Sequence, residues 1–397
     1  MIRSTVARVD LAALQSNFLS IQAFLAQSAP ERAPSVAPSH LRTPAPSHSP
    51  VPSVLAVVKA NAYGHGSERV ALALEQAGAT MLACADIEEG IVLRRAGVRV
   101  PILVFGALSV SDLEGLFEYA LTPTISTPSA ARALQAAAAK HAASLGYHLK
   151  LDTGMNRLGF RHDNLARTLP EVLSSPNLRL EAIYTHFATA DAPGHALFAE
   201  QRERFERALQ AIRGLGVSGD VPRHAANSAA LLCDARTWYD VVRPGLLLYG
   251  IVPPPLASTI PLQPVMSLTS RVVAVKGLRS GESVGYGCRF NAHGPSTIAV
   301  VPAGYADGLD LRLGQHGQAL IRGRRVPIVG AVSMDMMTVD VTELGEVQPG
   351  DEVVLIGRQG PESWQQIDVR EMAAAIGTIP YEIVCRVGSR IERHYVD

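Results

Sequence analysis

Hydrophobic and polar positions along this chain follow two different rhythms. Ser4 to Val9 reads as a short strand, and Asp10 then stands as the N-cap of a helix whose Leu11, Leu14, Phe18, Ile21 and Leu25 share one face. From Val54 onward, short apolar runs (VLAVV, MLACA, ILVF, YHLKL, LRLEAIY, YDVV) alternate with helical stretches over Ser67–Ala77, Glu88–Ala96, Ser129–Ala139 and Glu200–Arg213. These runs are nearly continuously apolar, as strands covered on both faces are. Repeated βα units over roughly 200 residues predict a closed (β/α)8 barrel. No GxGxxG follows the first strand, which speaks against a Rossmann dinucleotide site.

After about Pro255 the period shortens to two residues: SLTSRVVAVKGL, STIAVVPAGY, QALIRGRRVPIVG, MTVDVT and DEVVLIG, punctuated by Gly and Pro, with one late helix over Val369–Ile376. That texture predicts a small mostly-β domain. The expected fold is α/β plus β: a (β/α)8 TIM-like barrel over residues 1–255, then a C-terminal mostly-β domain over 256–397. Residues 28–53, SAPERAPSVAPSHLRTPAPSHSPVPS, interrupt the first rhythm. Pro, Ser and Ala bury too little apolar surface to offset ordering entropy, so this stretch reads as a tolerated insertion.

Composition narrows the function classes. Lys+Arg and Asp+Glu each total 36 in 397 residues, so no excess positive charge exists to hold nucleic acid or an anionic membrane. A small-molecule partner is expected instead. Cys84, Cys233, Cys288 and Cys385 form no CxxC pair, which argues against a metal site and for buried, reduced thiols in a cytoplasmic protein. The opening MIRSTVARVDLAAL lacks a signal-peptide core, and no run of eighteen apolar residues suggests a membrane span.

The first chemistry lies in Ser53-Val-Leu-Ala-Val-Val-Lys59-Ala-Asn-Ala-Tyr63-Gly64-His65-Gly66, where an apolar strand ends in a lysine. A lysine at the C-terminal end of a barrel strand points into the mouth where barrel enzymes keep their active sites. Desolvation there lowers its proton affinity and frees the amine for a Schiff base.

Further motifs follow in order: Asp152-Thr-Gly-Met155-Asn-Arg157-Leu-Gly159, Thr185-His186-Phe-Ala-Thr-Ala190, His224-Ala-Ala-Asn227-Ser228, Arg243-Pro-Gly245, Gly304-Tyr305-Ala-Asp307-Gly308, Met334-Asp335 and Thr378-Ile-Pro-Tyr381-Glu382. With the lysine stretch, they closely resemble the bacterial alanine racemase family, over essentially the whole chain apart from the insertion. The resemblance implies pyridoxal phosphate held by a Schiff base to Lys59. It places the phosphate on Tyr63, Ser228, the backbone of Gly245 and Leu246, and Tyr381, and counts Asn227 and Arg157 among the cofactor contacts. Arg243 would face the ring nitrogen. Being permanently charged and only a donor, an arginine there favours the unprotonated nitrogen.

The resemblance also implies a two-base reaction between L- and D-alanine, supplying D-alanine for peptidoglycan. Lys59 would take the proton from D-alanine and Tyr305 from L-alanine, with His186 set between Tyr305 and Arg243. Arg157 and the Met334 amide would hold the substrate carboxylate, with Asp335 and Tyr286 at the entrance. Tyr305 and Met334 would come from the second subunit of a homodimer. Lys150 matches a position carbamylated in some members, and an unmodified lysine is as compatible with the sequence. Three other readings remain: a racemase of different or broader specificity, a pyridoxal-phosphate-dependent decarboxylase, and a non-catalytic binding protein. Arg243 in place of a carboxylate speaks against the second, and the β-domain carrying Tyr305 against the third.

Overall fold

The computed structural model describes residues 4–28, 51–108, 112–192, 194–360 and 365–397, so the centre of the Pro/Ser-rich insertion lies outside the described residues. Eight strands, Ser53–Val57, Met81–Cys84, Ile102–Val104, Thr122–Ile125, Leu145–Asp152, Leu178–Tyr184, Arg223–Asn227 and Val241–Arg243, pair in parallel in that order. The last returns to the first through Val241↔Ser53 and Val242↔Val54, closing the expected barrel. Successive residues on these strands (Leu55 and Ala56, Leu82 and Ala83, Ile102 and Leu103) are buried, because one face meets the barrel interior and the other the helices.

Local chemistry sets the helix starts. Asp10 Oδ1 accepts the Ala13 amide at 2.8 Å at the head of helix Leu11–Ser28. Asp86 Oδ1 accepts the Glu89 amide at 2.8 Å before Ile87–Arg95, and Thr127 Oγ1 accepts the Ala130 amide at 3.1 Å before Pro128–Lys140. Asn17, fully buried on the first helix, pins it to the chain leaving the barrel. Its Nδ2 donates to the carbonyls of Leu248 (3.0 Å) and Gln263 (2.8 Å), and its Oδ1 accepts the Gln263 amide (2.7 Å).

A second sheet of ten strands runs from Ala274–Leu278 to Glu392–Val396 and is antiparallel except for one pair. That pair corrects the expected division at residue 255. The first strand, Val6–Asp10, does not belong with the barrel. It lies antiparallel to Met266–Arg271 and parallel to Glu392–Val396, within the second sheet. Its own pattern gives the reason: Ala7 and Val9 are buried while Arg8 between them is exposed, the alternation of a sheet covered on one face.

The thiols also depart from expectation. All four cysteines are free, but only Cys84 is buried. Cys233, Cys288 and Cys385 each close a short helix or turn and are exposed, although the Cys233 thiol donates to Ala190 O at 3.3 Å. Among the described residues no helix is long and apolar enough to cross a membrane, and no cluster of His, Cys, Asp and Glu could hold a metal ion.

Candidate active site

Lys59 follows strand Ser53–Val57 at its C-terminal end, and the chain then does something L-residues avoid. Ala60, Asn61, Ala62 and Tyr63 all have φ of 52–53°, one turn of left-handed helix. Such backbone lies about 1–2 kcal/mol per residue above the right-handed form, so its surroundings must hold it. Within the turn, the Gly64 amide donates to Ala60 O and the Gly66 amide to Asn61 O, both at 3.0 Å. From outside, Glu89 Oε1 accepts the Ala60 amide (2.7 Å), and Arg393 donates to Gly64 O at 3.0 and 3.2 Å. Gly64 has φ 80°, and a Cβ there would run into the Val384 carbonyl. The turn sets Tyr63, buried, close to the same opening as Lys59.

That opening is a cavity of about 610 Å³ whose described lining contains four cations, Lys59, Lys150, Arg157 and Arg243, and no carboxylate. Burial, then the nearby Arg157 charge, depresses the proton affinity of Lys59. Lys150, with its amine 5.6 Å from the centre of the Tyr184 ring, is pushed down to about 8, by burial first and then by Arg157 and Arg243. An assembly of this sign attracts a multiply charged anion.

Arg243 forms one wall. Its Nη2 donates to the carbonyls of Thr185 (2.9 Å) and Ala225 (3.0 Å) and to His186 Nδ1 (3.2 Å), and its Nη1 donates to His224 Nδ1 (3.0 Å). Burial lowers its proton affinity to about 10, which leaves it charged at neutral pH. Because arginine only donates, both imidazoles must accept through Nδ1 and carry their protons on Nε2. His224 Nε2 therefore donates to His148 Nδ1 at 3.0 Å. Burial, followed by the Arg243 charge, keeps His186 and His224 far below the usual imidazole range and His148 near 3, so all three are neutral. His224 also stacks on Tyr184, ring centres 4.6 Å apart.

At the other end lies a cradle of neutral donors. Strand Val241–Arg243 runs into a single 3-10 turn, Leu246–Tyr249, and the Gly245 amide before it donates to Ser228 Oγ at 2.9 Å. Leu246 is buried behind this point and does not line the cavity. Asn227 lines it, but its Oδ1 is occupied as N-cap of helix Ser228–Cys233, accepting the Ala230 amide at 2.9 Å. Tyr63 and Tyr381 flank the cradle with ring centres 5.9 Å apart. Burial raises both phenols, Tyr381 to about 12, so they remain donors.

Tyr305 and Met334 stand elsewhere. Neither lines the Lys59 cavity of its own chain. The two are neighbours in the segments that follow strand Ser296–Val301 and precede Met337–Asp340, where the Tyr305 amide donates to Ser333 O (3.0 Å) and the Ala306 amide to Met334 O (3.1 Å). Tyr305 is 43% and Met334 52% exposed, together with Tyr286, Leu311 and Met336.

The family described as "Alanine racemase, N-terminal domain" matches residues 41–253, and that described as "Alanine racemase, C-terminal domain" matches residues 265–395. The chain belongs to the alanine racemase family. Its alanine racemase relatives include one from Halothermothrix orenii, 39% identical over 99% of this chain and 97% of its own length. Another, from Carboxydothermus hydrogenoformans, is 43% identical over 86% of this chain and 92% of its own. Among solved alanine racemases, that of Streptomyces lavendulae superposes with a TM-score of 0.88 at 30% identity, covering 100% of this chain and 98% of its own. That of Bacillus anthracis, with bound L-Ala-P, gives 0.84 at 33%, covering 100% and 96%.

Against this racemase-family background, the structure gathers Lys59, Tyr63, Arg157, His186, Asn227, Ser228, Arg243, Gly245 and Tyr381 around one cavity. Sequence reasoning gave no role to the His224–His148 pair, to Tyr184 or to Glu89. Two histidines on strands Arg223–Asn227 and Leu145–Asp152 were the available signal, since both interrupt apolar runs at barrel positions.

Proposed function

We propose that this chain is an alanine racemase whose cavity holds pyridoxal phosphate on Lys59. The observation that carries the reading is a half-buried lysine whose proton affinity is lowered, in a cavity lined by three further basic side chains and, among the described residues, no carboxylate. The cradle suits a phosphate: the Ser228 hydroxyl, which accepts the Gly245 amide and so keeps its own proton to donate, converges with two protonated phenols, and Gly245 leaves the space a Cβ would take from the Tyr63 hydroxyl. Related solved structures support it, one being an alanine racemase from Bartonella henselae described with covalently bound pyridoxal phosphate. Bound there, the cofactor would withdraw electrons from the substrate and acidify its Cα proton.

The chain's own groups would do the rest. Lys59 Nζ, low in proton affinity, takes or returns the Cα proton on one face of the substrate. Arg157 offers its fork to the substrate carboxylate, and the Met334 amide does the same from the partner subunit. Tyr305, exposed in one chain, reaches the opposite face within a homodimer, where the proton on His186 Nε2 can stabilise its phenolate. Arg243 fixes that tautomer and, with the cofactor bound, would present a positive charge to its ring nitrogen. The reading includes a cytoplasmic location and supply of D-alanine for peptidoglycan.

The test is incubation of purified protein and pyridoxal phosphate with L-alanine, followed by chiral analysis, with L-serine and L-lysine in parallel. D-alanine is expected to accumulate until the two enantiomers are nearly equal. No D-alanine, or faster conversion of serine or lysine, would reject alanine as the substrate.

A further inference from the structure

We propose that Glu89 is a positioning residue for Lys59, its carboxylate holding the left-handed turn that aims the lysine amine into the cavity. This rests on Lys59 being one of the two proton-transferring groups. Glu89 sits in the first turn of helix Ile87–Arg95, its own amide held by the Asp86 cap. From that fixed point its two oxygens accept two backbone amides from adjacent strand ends: Oε1 that of Ala60 and Oε2 that of Ala85, each at 2.7 Å. Ala60 follows Lys59 directly and begins the left-handed run.

An amide at the start of any helical turn has no partner inside the turn. In a right-handed helix, a lost cap frays the end. Here the turn is also uphill in backbone energy, so the lost bond removes one of the outside contacts opposing its relaxation. The chemistry asks for a carboxylate, since two N–H donors need two acceptors. A glutamine supplies one acceptor and one NH2, which would confront one of the two amides. An aspartate keeps both acceptors but falls one methylene short. The negative charge also opposes burial and Arg157 in setting how readily Lys59 keeps its proton.

The test uses the cofactor-loaded protein and Glu89→Gln, with two readouts. Amide deuterium uptake in the peptide spanning residues 58–66 is expected to accelerate about tenfold, the loss of one charge-assisted hydrogen bond. The rate of Cα exchange in deuterated water from D-alanine, relative to that from L-alanine, is expected to fall by about tenfold as well. A merely structural lesion slows both enantiomers equally and leaves the ratio alone. Tyr305→Phe serves as the control and must move the ratio the other way. If it does not, the two-base reading fails, and uptake over 58–66 alone decides the role of Glu89. Wild-type uptake in Glu89→Gln overturns the proposal, and so does raised uptake with an unchanged ratio while the control behaves. Should Glu89→Gln not fold, Glu89→Asp is expected to shift both readouts by roughly threefold, and wild-type values there overturn it equally.

Discussion

Gly245→Ala adds a single methyl group where the cradle has no room for it. A Cβ at this position would lie 2.9 Å from Cζ of Tyr63, where ordinary contact begins at 3.4 Å, and nearer still to the phenolic oxygen. Tyr63 cannot readily swing away, because it is buried between Tyr249 (ring centres 5.0 Å) and Tyr381 (5.9 Å) on a turn of fixed, left-handed backbone. Gly245 cannot easily retreat either, since its amide is tied to Ser228 Oγ at 2.9 Å. Overpacking of this kind costs about 1–3 kcal/mol, and it displaces the Tyr63 hydroxyl, a proposed phosphate donor, or the Gly245 amide that orients Ser228. The expected result is a cofactor dissociation constant raised roughly tenfold to a hundredfold and a lower melting temperature without cofactor. Titration of the apoprotein with pyridoxal phosphate, followed by its absorbance, measures the first, and calorimetry the second. Binding within twofold of wild type, at an unchanged melting temperature, would refute the claim that Gly245 is there for close approach.

Other perturbations probe separate parts of the argument. Lys59→Ala is expected to abolish the cofactor's absorbance near the visible edge and its borohydride-trappable bond to the chain; a surviving adduct would identify another lysine. Asn17→Leu removes the partner of the buried Leu248 carbonyl and of the Gln263 carbonyl and amide, so stability should fall by about 2 kcal/mol; a drop below about 0.5 kcal/mol in denaturant unfolding would contradict that role. Acid should unfold the protein through its buried imidazoles. His65 and His148 are held near 4 and 3 by burial, whereas in the unfolded chain they take up protons below about 6.5. Stability is therefore complete above that value and declines as pH drops towards 4 and then 3, by about 1.4 kcal/mol per pH unit for each group. Equal denaturant midpoints at pH 7 and pH 5 would show that they protonate within the fold.

Much of this architecture was legible in the residues themselves. Burial on both faces writes itself into sequence as an unbroken apolar run, so the barrel strands could be read, and the lysine ending one of them marked the mouth. What escaped was set by distant partners. Val6–Asp10 resembles any opening strand until Glu392–Val396 is seen beside it. The left-handed turn is built mainly from Ala, Asn and Tyr, and only Gly64 and Gly66 hint at it. Glu89 reads as an ordinary acidic residue in a first helical turn, because its acceptors are engaged by amides on two other segments. Helix boundaries shifted by only a few residues, as at Glu88–Ala96 against Ile87–Arg95, because caps such as Asp86 are local signals.

The place of Val6–Asp10 between Met266–Arg271 and Glu392–Val396 shapes how the chain can be made. On the ribosome, the barrel strands between residues 53 and 243 can all emerge and close while the first strand still has no neighbour. Met266–Arg271 and Glu392–Val396 both follow the barrel along the chain, so each edge of Val6–Asp10 stays bare until its partner has been made, a form prone to sticking to other chains. A chain cut before residue 392 would therefore leave one side of Val6–Asp10 without its parallel partner even after the barrel has closed.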